Sequence, residues 1–150
     1  MSDDYYQQLK TFFEQQVRFN RRMGLVVEEL APGLARLRFP FQEDFMGDPL
    51  RQALHGGVVA TIIDLAGGMA VFTRLSRGDA CSTIDLRVDY YLPAESLDLV
   101  AEARLARLGN RVAVSNIEVI QPGRSGLIAE GRGAYAIKNK ALQGPDEEAR

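Results

Sequence analysis

Few residues in this chain are of a type and spacing that suggest chemistry. They are a histidine followed by two glycines, His55-Gly56-Gly57, and an aspartate, Asp64, inside a long apolar run. His55 is the sole histidine, which excludes a two-histidine metal site and makes any Ser-His-Asp triad depend on this residue. The glycines fall where a helix begins, and a helix N-terminus carries unpaired backbone N–H groups and a partial positive charge. With no side chain in the way, a ligand oxygen can approach those groups, as an oxyanion hole requires. A plainer reading stands beside this one: His55 hydrogen-bonds neighbouring backbone, and the glycines only permit a tight turn into the helix.

Asp64 needs a reason to be where it is, because a carboxylate on an apolar helix is costly to bury unless it is partnered or meets a cavity. The structural alternative is an aspartate that caps another element. Gly56 and Asp64 are eight residues apart, or about 12 Å along a helix. A reacting carbonyl must lie within about 3 to 3.5 Å of its attacker and about 3 Å from its oxyanion donor. If both residues serve one reaction, they therefore come from different subunits. Antiparallel helices across a two-fold axis would give two sites per homodimer.

The elements that must hold these residues can be read from periodicity. From Asp3 to Arg22, Leu9, Phe12, Phe13, Val17 and Phe19 fall at roughly helical spacing, predicting an amphipathic helix on one edge of a sheet. Two short apolar runs, Leu25 to Leu30 and Leu34 to Phe39, flank Pro32-Gly33 and read as a hairpin. Phe41 to Leu54 reads as a loop. Gly56 to Leu75 is apolar nearly all round, which predicts a helix buried on every side; Asp64 and Gly67-Gly68 argue against a membrane span.

After that helix the chain alternates with period two. Ile84, Leu86, Val88 and Tyr90 oppose Thr83, Asp85, Arg87 and Asp89, and runs over 97–108, 111–120 and 127–138 follow, with turns at Gly109-Asn110 and Pro122-Gly123. Short links predict a four-strand antiparallel meander. One apolar helix among such strands is satisfied when a curved antiparallel sheet wraps around it. That is the hot-dog fold, in the α+β class, here with an extra N-terminal helix. One domain over 1–138 and a polar, disordered tail over 139–150 are expected.

The chain has 150 residues, 46% hydrophobic and 25% charged, with a formal charge of -2. That balance argues against a general nucleic-acid or membrane-surface binder, because such binding needs clustered positive charge. Met1-Ser2-Asp3-Asp4 lacks the features of a secretory signal, so a cytoplasmic protein is expected. The lone Cys81 lies among strand residues and reads as a structural thiol with no assigned role.

The segments LHGGVVATIIDLAGG (Leu54 to Gly68), TIDLRVDY (Thr83 to Tyr90) followed by Pro93, and GNRVAV (Gly109 to Val114) resemble the PaaI-type hot-dog acyl-CoA thioesterases. The likeness runs from about Arg18 to Lys138 and is strongest to the YigI-like medium- and long-chain acyl-CoA thioesterases. It implies an acyl-CoA substrate, possible aryl acyl groups, and no cofactor beyond the coenzyme A of the substrate. It also implies a homodimer that commonly pairs into tetramers.

By resemblance, the Gly56 N–H polarises the thioester carbonyl, and Asp64 is the nucleophile or general base. Thr83 holds the attacking water or the carboxylate, His55 supports the loop and helps orient the thioester, and Gly57 is a substrate-binding residue. Relatives usually carry an asparagine six or seven residues before the histidine, where this chain has Asp48 and Pro49. Asp48 can accept a hydrogen bond from substrate but cannot donate one. Arg111 matches a basic position suited to coenzyme A phosphates. Arg87, Arg104, Arg107, Arg124 and Arg132 read as solvated strand-face charges or surface ion pairs. Met69 and Phe72 are expected to close the acyl pocket. Two other readings remain: an acyl-thioester hydratase or dehydratase, and a non-catalytic acyl-CoA-binding or regulatory protein.

Overall fold

The computed structural model describes residues 3–138, so the predicted 139–150 tail lies outside the described residues. An N-terminal helical segment (α1, Asp3–Thr11) runs into a π-helical turn at Phe12–Gln16, is broken by the extended Val17, and resumes as α2 (Arg18–Arg22). The single amphipathic helix expected over 3–22 is therefore in pieces. The widened turn carries Phe13, which packs edge-on against Phe72 at 5.3 Å, and Glu14, whose Oε1 accepts from the Val27 N–H at 2.7 Å.

Strands β1 (Val26–Ala31) and β2 (Leu34–Phe39) form the expected hairpin, with Gly33 at φ +77° in the turn. The stretch read as loop contains a small hairpin of its own, β3 (Met46–Asp48) with β4 (Ala53–Leu54). The long helix, α3 (Gly56–Phe72), follows at once. Four long strands complete the chain: β5 (Ala80–Tyr90), β6 (Leu99–Leu108), β7 (Val112–Ile120) and β8 (Ala129–Lys138).

The six-stranded antiparallel sheet has the order β1-β2-β6-β7-β8-β5, and α3 lies across one face of it. This is the hot-dog fold. The meander holds only for β6, β7 and β8, since β5 pairs with β8 at the far edge instead of with β6. The link Tyr91–Asp98 is what permits this: eight residues reach roughly 26 Å. Three strand spacings need only about 14 Å.

The core lies between helix and sheet, where Ile62, Ile63, Ala66, Met69 and Ala70 meet Leu37, Leu99, Ala101, Ile117 and Ala129. Helix α3 is not covered on every side, however. Gly57 is exposed and Thr61, Asp64 and Gly68 are only half-buried, so one stripe of the helix stays open. Gly67-Gly68 does not interrupt the helix. A Cβ on Gly67 would overlap the Tyr135 hydroxyl, so the glycine lets that buried ring pass beneath the helix.

The two sheet edges differ. At β1 the Lys10 ammonium donates to the Val27 carbonyl at 2.9 Å while Glu14 takes the Val27 N–H, and Glu28 is a bulge. Both polar groups of the edge backbone at Val27 are thus occupied by side chains. Among the described residues no strand neighbours the outer edge of β5, and Ile84 there is 58% exposed.

Candidate active site

The open stripe of α3 brings Asp64 to β5. The Thr83 hydroxyl donates to Asp64 Oδ1 at 2.8 Å. Strict alternation put Thr83 on the face opposite Leu86 and Val88; Ile84 is a bulge, between Thr83 opposite Tyr135 and Asp85 opposite Ala134. The extra residue reverses the alternation and turns Thr83 toward the helix. Behind this pair the Tyr135 hydroxyl donates to the Asp64 carbonyl at 3.1 Å.

Asp64 also perturbs its neighbours. Burial, then the Asp64 carboxylate, pushes the Cys81 thiol up to about 11. The same two causes, in the same order, hold the Tyr135 phenol far above its usual value. Neither group is a ready nucleophile, since it is the thiolate that reacts. Cys81 thus remains a structural thiol.

The second locus is the start of α3. His55 is the N-cap residue, and its Nδ1 accepts from the Gly57 N–H at 2.9 Å, which places the ring proton on Nε2. The backbone reading of His55 is therefore realised, and it settles which glycine is free. Gly57 has its N–H engaged by His55. Among the described residues, no acceptor meets the Gly56 N–H. The Tyr90 hydroxyl donates to the Gly56 carbonyl at 2.8 Å and steadies this end of the helix. Beside Gly56 lies a cavity of about 220 Å³, walled by Leu54, Val59, Leu92, Ala94 and Ile128 and rimmed by Tyr90.

Asp48 serves its own loop: Oδ1 accepts from the N–H groups of Leu50 (3.0 Å) and Arg51 (3.2 Å), and Oδ2 lies 3.6 Å from the Arg51 guanidinium. These contacts hold the turn between Asp48 and Arg51. Its neighbour Gly47, which sequence reasoning missed, packs on His55 so closely that a Cβ would sit 2.5 Å from His55 Cα. Arg111 is exposed at the Asp64 end of the sheet, where its carbonyl accepts from the Ile137 N–H at 2.8 Å. Met69 is fully buried in the core and Phe72 packs on Phe13, so on this chain neither borders the Gly56 cavity.

The site residues therefore form two groups on one chain: Asp64 with Thr83, and Gly56 with His55, Gly57 and Tyr90. They are two helical turns apart along α3. Tyr90 and Tyr135 were also missed as site neighbours. Glycines at Gly67, Gly68 and Gly133 were the available signal for a large side chain passing close to the helix.

Comparison with known proteins agrees with the fold. Residues 52–127 match the Thioesterase superfamily. The chain is 37% identical to a medium/long-chain acyl-CoA thioesterase YigI of Salmonella typhimurium over 67% of this chain and 74% of that protein. It is 28% identical to the human acyl-coenzyme A thioesterase 13 over 81% of this chain and 86% of that one. A Shewanella oneidensis structure related to the thioesterase superfamily superposes with TM-score 0.80 at 29% identity, covering 89% of this chain and 95% of that one. The fold, the open Asp64 stripe and the matched segment lead to one assignment: this chain belongs to the thioesterase superfamily.

Proposed function

We propose that the protein hydrolyses the thioester of medium- or long-chain acyl-CoA, with aryl acyl groups within its range. The carrying observation is the Thr83-bound Asp64 carboxylate on an uncovered helix face, on the same helix as the free Gly56 N–H. The names of the YigI and human relatives support the substrate class.

In this reading two chains meet through the unpaired β5 edge and the open stripe of α3, so that Asp64 of one faces Gly56 of the other. Asp64 takes a proton from water as that water attacks the carbonyl carbon; alternatively it adds to that carbon directly, and C–S cleavage then leaves a mixed anhydride that water hydrolyses to free the acid and restore the carboxylate. The oxygen that becomes negative accepts the Gly56 N–H, a donor already held in place before the charge develops. The C–S bond then breaks, and the coenzyme A sulfur leaves and takes up a proton. Thr83 keeps Oδ1 oriented, and His55 fixes the helix start. Arg111 is assigned to the coenzyme A phosphates. The step uses a carboxylate, a backbone amide and water, and calls for no metal or redox cofactor.

A cytoplasmic location fits this substrate, and among the described residues no helix is long and apolar enough to cross a membrane. The deciding experiment follows free-thiol release from a panel of acyl-CoA chain lengths with wild type and Asp64→Asn. Hydrolysis by the first and near-complete loss in the second is expected. Binding without thiol release by the wild type, or near-normal rates in the variant, would overturn the proposal.

A further inference from the structure

The Gly56 end of the site depends on a segment with no secondary structure of its own, the crossover Tyr91–Asp98. One buried side chain holds it. Gln121, at the end of β7, is 1% exposed and uses its amide as a strand would use a peptide group. Its Oε1 accepts from the Glu95 N–H at 2.8 Å, and its Nε2 donates to the carbonyls of Glu95 (2.9 Å) and Leu97 (3.1 Å). Glu95 in turn bridges Ala53, and the Ala94 carbonyl accepts from the Leu54 N–H at 2.8 Å. Leu54 is followed by His55 and Gly56.

Arg124 completes the clamp. The sequence suggested a solvated charge or a surface ion pair; it is half-buried and does more than pair: Nη1 donates to the Pro93 carbonyl at 2.9 Å and to Gln121 Oε1 at 2.7 Å, while Nη2 lies 3.2 Å from Glu95 Oε1. The guanidinium can only donate, so it fixes which end of the Gln121 amide is oxygen. Pro93 and Ala94 also wall the cavity beside Gly56.

We infer that Gln121, locked by Arg124, is a positioning residue that sets where the Gly56 N–H stands, acting through Glu95 and the Ala53-Leu54 strand. The inference rests on the reading that this N–H meets the developing oxyanion. No atom of Gln121 touches substrate. A displaced donor weakens the transition state more than the ground state, so kcat should fall while KM holds.

The test compares Gln121→Met, which keeps length and removes the amide, and Arg124→Ala with wild type, in the full chain. Steady-state thiol release, thermal unfolding and the amide resonance of Gly56 are measured. Gln121→Met is expected to lower kcat per folded site by roughly 10- to 100-fold, with KM little changed and the Gly56 resonance displaced. Arg124→Ala is expected to shift the same two readouts less. Unchanged kcat per folded site with an unmoved Gly56 resonance overturns the inference. If Gln121→Met does not fold, Arg124→Ala decides by the same criterion. A wild type that releases no thiol overturns the proposed function itself, and this inference with it.

Discussion

Replacing Gly67 with alanine would place a methyl group against the Tyr135 hydroxyl, 2.9 Å from Tyr135 Cζ and 3.0 Å from Ile117 Cδ1. The ring cannot withdraw, because a Cβ at Gly133 would overlap the same hydroxyl from the sheet side and Tyr135 is 1% exposed. Overpacking of this kind costs about 1–3 kcal/mol. Losing the hydrogen bond to the Asp64 carbonyl adds roughly 0.5–1.5 kcal/mol. Alanine returns about 1 kcal/mol through helix propensity. The net is a destabilisation of about 2 kcal/mol, or a Tm drop of roughly 4–8 °C. Thermal and denaturant unfolding at one fixed protein concentration would measure it. Tyr135→Phe removes the clashing oxygen, so the double variant should be less destabilised than the sum of the single ones by about 1 kcal/mol or more. A Gly67→Ala protein as stable as wild type, or an additive double variant, would refute the close-approach argument.

Other expectations follow from the site and the edges. Thr83→Ala should reduce thiol release by about 10-fold, on the scale of one hydrogen bond to a charged group, with Thr83→Ser close to wild type; equal rates in all three would remove Thr83 from the site. Ile84→Lys puts a charge on the open β5 edge, so light scattering should report a mass near the single chain's 16.6 kDa and activity should be lost; an active, unchanged assembly would place the interface elsewhere. Because the Cys81 thiol is raised to about 11 from 9.0, the unfolded chain loses this proton first as pH rises. Stability is therefore expected to fall from about pH 9 to about pH 11. Tyr135 adds a loss of the same sign from about pH 10, so the Cys81 part is read as the difference from Cys81→Ala, and identical pH profiles would contradict it.

The sequence reading located the hairpin, the long helix and all four later strands, because each carried a clear 3.6- or 2-residue period. It misplaced β5, since periodicity describes a strand's faces and says nothing of its neighbours; the length of the 91–98 link was the available clue. The all-round burial expected for α3 failed for a related reason. An apolar stripe looks the same whether its own sheet or another surface covers it, and here Thr61, Asp64 and Gly68 are left half-open. In the candidate site, the Gly56–Asp64 spacing was legible because helix geometry is rigid. The face of Thr83 was not, since a single-residue bulge at Ile84 reverses the alternation without changing composition. Gln121 and Arg124 were invisible as a clamp, because their partners are backbone groups some 25 residues away in the chain.

The plugged β1 edge has a consequence for how large an assembly can grow. A sheet that can add a neighbour on both sides can in principle propagate into a filament, one copy after another. Here Lys10 and Glu14 occupy the Val27 backbone at one end, so the isologous β5 contact proposed above would consume the remaining edge of both chains. What would be left facing outward at each end of such a joined sheet is a blocked strand. Side-chain plugging of a single residue thereby acts as a terminator for β-sheet polymerisation, limiting this mode of growth to a closed pair.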